Sequence, residues 1–370
     1  MSSSPVLETT AVPAAPMPHD RAFHTLTVAD VEPLCDDAVA VRFDIPNDLS
    51  SEFDFRPGQS LTLRRTVDGV EHRRSYSICA PAGRSPRVGV REVNGGLFSS
   101  WLVHDVRAGD HIDVQAPSGT FHADPSAGGR HLLIAAGSGI TPMLSIAASM
   151  LEHPGAEVTL IYANRRTRSV MFAEDIADLK DRHGPRLDVI HVLSREPREV
   201  ELFSGRLDRE RLDEILDSVV PTADIDHFWL CGPLGMVETA QEAIADRGIP
   251  KDRIHFELFY VEATPPPQEK HREPGTTGPT SEVTIVLDGR SVSGTLSRDE
   301  SILDAGEELR SDLPFACKGG VCGTCRAKVV CGDVDMRRNY ALEDSEVADG
   351  FVLTCQTFPV GDQVTVDFDA

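Results

Sequence analysis

Basic residues are scarce in this chain: 36 Lys and Arg stand against 59 Asp and Glu in 370 residues, a net charge of −23 at pH 7. Such a surface repels phosphates, which excludes nucleic acid as a partner. No apolar run approaches the ~20 residues that a bilayer-crossing helix needs, so no membrane partner is expected. Cysteine is sparse, with 8 in all. The first twenty residues, rich in Ser, Ala and Pro, lack the apolar core of a secretory leader. The expectation is therefore a cytoplasmic protein with reduced thiols, not a small secreted fold stapled by disulfides. Also missing is any Glu-x-x-His pair, the spacing with which bundle oxygenases hold two irons.

What is present is concentrated in short, chemically specific stretches. Cys317, Cys322, Cys325 and Cys355 follow the spacing C-x4-C-x2-C…C of a plant-type [2Fe–2S] site. Two irons bridged by two sulfides need four thiolates, and three must come from one tight loop. Gly319, Gly320 and Gly323 are expected to let that loop wrap with positive φ and to bring amides toward the sulfurs. Zinc sites usually pair two Cys-x-x-Cys units, and only one stands here. Cys35 and Cys331 are expected as ordinary buried thiols, and Cys79 as a packing residue.

Composition divides the chain. Residues 1–20 read as a disordered tail. Residues 21–124 carry short alternating segments separated by turn residues, the pattern of an antiparallel β-barrel. Residues 125–260 alternate apolar strands with helical stretches, the βαβ order of a doubly wound α/β domain. Residues 261–281, with Pro265-Pro266-Pro267 and Gly275-Thr276-Thr277-Gly278-Pro279, read as a linker. Residues 282–370 form a small mixed sheet around the cysteine loop, with 17 acidic against 8 basic residues.

Two further motif sets occupy the first two domains. Arg74-Ser75-Tyr76-Ser77 stands between Arg56-Pro57-Gly58-Gln59 and Gly95-Gly96-Leu97-Phe98-Ser99. Gly137-Ser138-Gly139-Ile140-Thr141-Pro142 closes a strand and opens a helix, where backbone N–H groups and the helix dipole suit a phosphate. Pro142 replaces the third glycine of the dinucleotide fingerprint. Cys231-Gly232-Pro233 ends a later strand.

Taken together, these motifs resemble the ferredoxin–NADP reductase family, with a ferredoxin-like β-grasp domain added at the C-terminus. The resemblance implies that Arg74 pairs with a flavin pyrophosphate, Ser75 belongs to the same flavin strand, and Tyr76 lies against the isoalloxazine. Ser77 would hydrogen-bond near flavin N5, the hydride acceptor. Gly95, Gly96 and Ser99 would present amides to phosphate ahead of a helix at 99–103. Gly137, Gly139, Thr141 and Pro142 would hold the nicotinamide nucleotide, and Cys231, with Gly232 and Pro233, would shape hydride transfer beside the ring. FAD is the expected flavin, and FMN satisfies the same domain order. Phe259 is the candidate aromatic cover, because Glu257-Leu258-Phe259-Tyr260 does not end the chain as its plant counterpart does.

Arg165, Ser194 and Arg195 follow strands where the adenosine ribose belongs. Cations there favour the 2′-phosphate of NADPH over NADH. The order flavin, nicotinamide, [2Fe–2S] resembles the reductase components of multicomponent oxygenases. The stretches 162–172, 193–197 and 200–208 resemble those serving a di-iron oxygenase of aryl-CoA thioesters. Steroid and aromatic-ring hydroxylases have reductases of the same layout. A redox sensor would want a DNA- or protein-binding module, and a nitric-oxide scavenger a haem domain; neither is visible in the sequence. The acidic C-terminal domain suits a docking partner with a basic face.

Overall fold

A computed structural model describes residues 22–93, 95–260, 279–310, 312–342 and 344–370. The expected tail and most of the expected linker lie outside the described residues. No helix among the described residues is long and apolar enough to cross a membrane.

The first unit is built from β1 (Phe23–Cys35), β2 (Ala38–Asp44), β3 (Ser60–Val67), β4 (Val70–Ser77), β5 (Arg87–Arg91), α1 (Leu97–His104) and β6 (His111–Gln115). The strands pair antiparallel in the order β4-β3-β6-β1-β2-β5. A bridge from Ile78, just past β4, to Val88 on β5 joins the two edges and closes the barrel. Alternation supplies its core: Leu61 and Leu63 on β3 and Val88 and Val90 on β5 are fully buried.

The second unit contains β7 (Gly129–Ala136), α2 (Ile140–Leu151), β8 (Ala156–Asn164), α3 (Ala173–His183), β9 (Leu187–Leu193), α4 (Arg209–Ser218), β10 (His227–Pro233), α5 (Leu234–Ala245) and β11 (Ile254–Tyr260). All neighbours are parallel, in the order β11-β10-β7-β8-β9. The strand order reverses between β7 and β10, so the crevice at their C-terminal ends is the switch point where such sheets bind ligands. Every residue of α2 is buried, because the helix lies between the sheet and the barrel. Two of its three buried hydroxyls are satisfied from the barrel side. Ser145 donates to the Ala80 carbonyl (2.7 Å) and Ser149 accepts from the Ala82 amide (2.9 Å).

The third unit holds β12 (Thr280–Leu287), β13 (Arg290–Ser297), α6 (Ile302–Gly306), β14 (Arg326–Cys331), β15 (Val334–Met336), α7 (Asp344–Ala348), β16 (Phe351–Leu353), β17 (Thr357–Pro359) and β18 (Gln363–Asp367). A mixed sheet runs β13-β12-β18-β14-β16, with β12 and β18 parallel. Ser301 caps α6 by accepting the Asp304 amide at 3.1 Å. The linker expected through 281 ends sooner, since Thr280 and Ser281 already pair with Ser297 and Leu296. Cys331 is exposed rather than buried. It ends β14, past a register irregularity with β18 that begins at Val329, so the alternation that buries Ala327 no longer holds there.

Candidate functional site

Three strands from two sheets meet at one seam. Ser77, buried at the end of β4, donates its hydroxyl to Glu257 Oε2 at 3.1 Å. Glu257 sits on β11 in register with Cys231 on β10. Burial pushes the Glu257 carboxyl up to about 8, with the Ser77 hydroxyl opposing. Burial, then the nearby Glu257, pushes the Cys231 thiol well up. A thiol held neutral there can line a pocket but not attack. The sequence motifs point to Ser77 and Cys231 and pass over Glu257. Its signal is a carboxylate inside the apolar run Ile254-His255-Phe256-Glu257-Leu258-Phe259. Phe259 packs against the core on the α2 side.

The rest of the flavin strand is split by alternation. Tyr76 is half-buried with its ring 6.1 Å from Phe98, and burial pushes its phenol up. Ser75 shares a hydrogen bond with Thr62 at 3.1 Å. Arg74 is exposed, bonded to the Arg73 carbonyl, and meets no carboxylate among the described residues. In so acidic a chain, an unpaired guanidinium at this place fits a diphosphate. Gly95 has φ +73° and Gly96 precedes α1 as its N-cap. The helix begins at Leu97, two residues before the expected start, so Ser99 lies within its first turn. The Ser99 hydroxyl accepts from the Val93 amide (3.0 Å), and the Gly96 amide donates to the Val93 carbonyl (2.7 Å). Both groups build the turn, contrary to the expectation that Gly96 would offer its amide outward.

At the nucleotide turn, a Cβ on Gly139 would strike the carbonyl of Cys231. The two turns of the switch point therefore touch backbone to backbone. Gly137 takes φ +57°, and its carbonyl accepts from Tyr162 Oη at 2.9 Å. The Thr141 hydroxyl donates to the Ser138 carbonyl (3.0 Å). Pro142 falls in the first turn of α2, where its missing N–H has no helical partner to lose. Gly232 lies 2.8 Å from Met236 Cε when given a Cβ, and Pro233 is the N-cap of α5.

The arginine loops come together beyond the sheet. Ser194 and Arg195 donate their amides to the carbonyls of Asn164 (2.9 Å) and Arg165 (2.8 Å), extending the β8–β9 pairing outward. Arg165, Ser194 and Arg195 are exposed side by side. Glu196 clasps the loops, accepting from the Thr167 amide (2.9 Å) and hydroxyl (2.6 Å). Those bonds hold its carboxyl below the usual range.

The four cluster cysteines lie as two neighbouring pairs, Cys317 with Cys322 and Cys325 with Cys355. That pairing suits two irons, each taking two thiolates. Amides of Gly319, Val321 and Cys322 point at Cys317 Sγ (3.3, 3.4 and 3.4 Å). The Cys322 thiol and these amides hold the Cys317 thiol below its usual range. Neighbouring sulfur pushes Cys322 and Cys355 up. Gly320 and Gly323 have positive φ as expected, but Lys318 rather than Gly319 takes the remaining left-handed position, at φ +50°.

Three family descriptions match the chain: an oxidoreductase FAD-binding domain over 25–123, an oxidoreductase NAD-binding domain over 133–242, and a 2Fe-2S iron-sulfur cluster binding domain over 285–360. The chain is 44% identical to a component of the 1,2-phenylacetyl-CoA epoxidase of Escherichia coli (strain K12), covering 94% of this chain and 98% of that one. It is 32% identical to the ferredoxin reductase component of 3-ketosteroid-9-alpha-monooxygenase from Rhodococcus rhodochrous, over 95% and 99%. Among solved structures, phthalate dioxygenase reductase shares the fold at TM-score 0.57 and 22% identity, over 94% of this chain and 98% of that one.

Proposed function

The chain belongs to the family of flavin and [2Fe–2S] oxygenase reductases that includes this component of 1,2-phenylacetyl-CoA epoxidase, and on that footing we propose that it supplies electrons from NADPH to an oxygenase acting on phenylacetyl-CoA. The oxygenase is read as di-iron from the resemblance of residues 162–172, 193–197 and 200–208 to reductases serving such an enzyme. When bound, FAD accepts an electron pair as hydride and the [2Fe–2S] centre carries single electrons onward.

The protein's part is placement and charge. Arg74 holds the flavin pyrophosphate, and the first turn of α1 faces the phosphates. Gly137, Gly139 and Cys231 shape a crevice tight enough for a nicotinamide against the end of β4. Ser77 and Glu257 keep a proton beside the reacting atoms: Glu257, with its pKa pushed up to about 8, holds one at neutral pH and can exchange it with the Ser77 hydroxyl. Arg165, Ser194 and Arg195 receive the 2′-phosphate, which favours NADPH. Cys317, Cys322, Cys325 and Cys355 ligate the irons.

The observation that carries this reading is the 3.1 Å bond from Ser77 to Glu257, which joins the flavin strand to edge strand β11, one strand from the switch point of the nucleotide sheet. The test is reconstitution with the cognate oxygenase, supplying NADPH or NADH and either phenylacetyl-CoA or a 3-ketosteroid. Turnover is expected with the thioester and NADPH. In Cys322→Ser, cytochrome c reduction should be lost while flavin reduction persists. Steroid turnover alone would favour the reading suggested by the ketosteroid relative.

A further inference from the structure

We propose that Arg73 is a positioning residue that fixes the cysteine loop of the third unit against the strand carrying the flavin motif. This rests on the reading of the chain as a flavin-to-cluster relay.

Arg73 is only 6% exposed, although it stands on a barrel strand in the middle of an acidic chain. A buried guanidinium persists only where its charge and donors are met. Glu71 meets the charge at 2.6 Å. Another donor, Nη1, reaches the carbonyl of Leu313 at 2.9 Å, 240 residues away in sequence. The guanidinium also lies over the Phe315 ring at 4.6 Å and beside Phe23 at 5.2 Å. Lys318 Nζ sits 4.6 Å from the same Phe315 ring, anchored by Asp304 and Glu307. Phe315 is thus held by two cations, one from the barrel and one from its own loop, two residues before Cys317. From the other side, Val321 and Tyr340 pack on the core of the nucleotide unit.

Strand alternation adds a second point. Arg73 and Ser77 lie four residues apart on one face of β4, roughly 13 Å of strand. One meets the cysteine loop and the other meets Glu257. A single strand therefore sets both the hydride-side contact and the cluster-side contact. Lysine could not replace Arg73 fully, because stacking on Phe315 and bonding two acceptors needs a planar fork. Electron tunnelling falls steeply with separation, so a loosened loop slows transfer without touching hydride delivery.

The experiment uses full-length holoprotein with Arg73→Leu, Arg73→Lys, Phe315→Leu and the double variant Arg73→Leu/Phe315→Leu. The first readout is amide hydrogen exchange of the peptide 313–322 before any nucleotide is added. Loss of a charge-assisted hydrogen bond should speed exchange about tenfold or more. The second is stopped-flow absorbance after NADPH. Flavin bleaching should keep its wild-type rate while cluster bleaching slows about tenfold or more, with Arg73→Lys between. The double variant should be little worse than either single one, as for partners in one contact. Should Arg73→Leu fail to fold, Phe315→Leu, which leaves the Arg73–Glu71 pair intact, gives the same two readouts. Wild-type exchange and wild-type cluster bleaching in the folded variants would overturn the proposal. If the wild type reduces its flavin yet never its cluster, the relay reading fails instead, and the exchange data still decide what Arg73 does.

Discussion

Ser77 on the barrel and Glu257 on the parallel sheet share a hydrogen bond of 3.1 Å, although 180 residues separate them. The bond closes the seam between the barrel and the parallel sheet, beside Cys231 in register on β10. It also places a carboxyl with a pKa of about 8 where a proton can matter.

Glu257→Gln should slow flavin reduction by about a hundredfold, the low side of what a positioned proton carrier supplies. In the wild type the protonated form dominates below pH 8, so a rate that needs that proton falls as pH rises through about 8. The glutamine variant should lose this inflection. The same shift affects stability: a carboxyl raised from 4.5 to about 8 binds its proton more tightly when folded. Its contribution therefore diminishes as pH rises across that window, and Glu257→Gln removes the slope. Stopped-flow rates and thermal midpoints across pH check both statements.

Gly139→Ala should damage nucleotide binding more than flavin binding. The new methyl would meet the backbone carbonyl of Cys231, which cannot swing aside as a side chain can. Overpacking of this kind costs about 1–3 kcal/mol. The expected result is a large rise in KM for NADPH with flavin content retained, measured by titration and absorbance.

Arg195→Ala and Arg165→Ala should each raise the KM for NADPH about tenfold or more, as loss of a charge-assisted contact implies, and leave the KM for NADH nearly unchanged. Thr167→Val loses one hydrogen bond to Glu196 and should give the same trend more weakly by loosening the clasp. Equal effects on both nucleotides would place the 2′-phosphate elsewhere.

Acid should weaken the nucleotide unit through a histidine stack at the other end of its sheet. His131 and His227 stack at 5.4 Å, His227 and His255 lie 5.5 Å apart, and Trp229 covers His255 at 4.2 Å. Burial, then the neighbouring His227, depresses His255 from 6.5 to about 4, with Asp252 opposing. The unfolded chain thus binds more protons between those values, and stability drops as pH falls through that window. Thermal melts from pH 7 to 4 should show the drop, and His255→Phe should flatten it.

Much of the architecture was legible because it is written in short-range patterns. Alternating segments in the first unit and strand–helix repeats in the second give the two sheet types directly. The cysteine loop is equally local, since its spacing alone implies paired thiols. Local pattern does not decide a residue whose surroundings come from neighbours distant in sequence. Cys331 looked like any sparse thiol until the register irregularity with β18 left it exposed. Gly96 looked like a phosphate donor until its amide turned back to Val93.

By itself, then, the sequence determined the cofactor chemistry: thiolate spacing, glycine turns and strand-borne arginines each act within a few residues, and backbone geometry translates such spacing into local shape. Only the tertiary structure decided that Glu257 would meet Ser77 and that Arg73 would reach Leu313 and Phe315. Those contacts join strands and loops from different units, so they depend on how whole sheets pack, and no local pattern of residues encodes that distance.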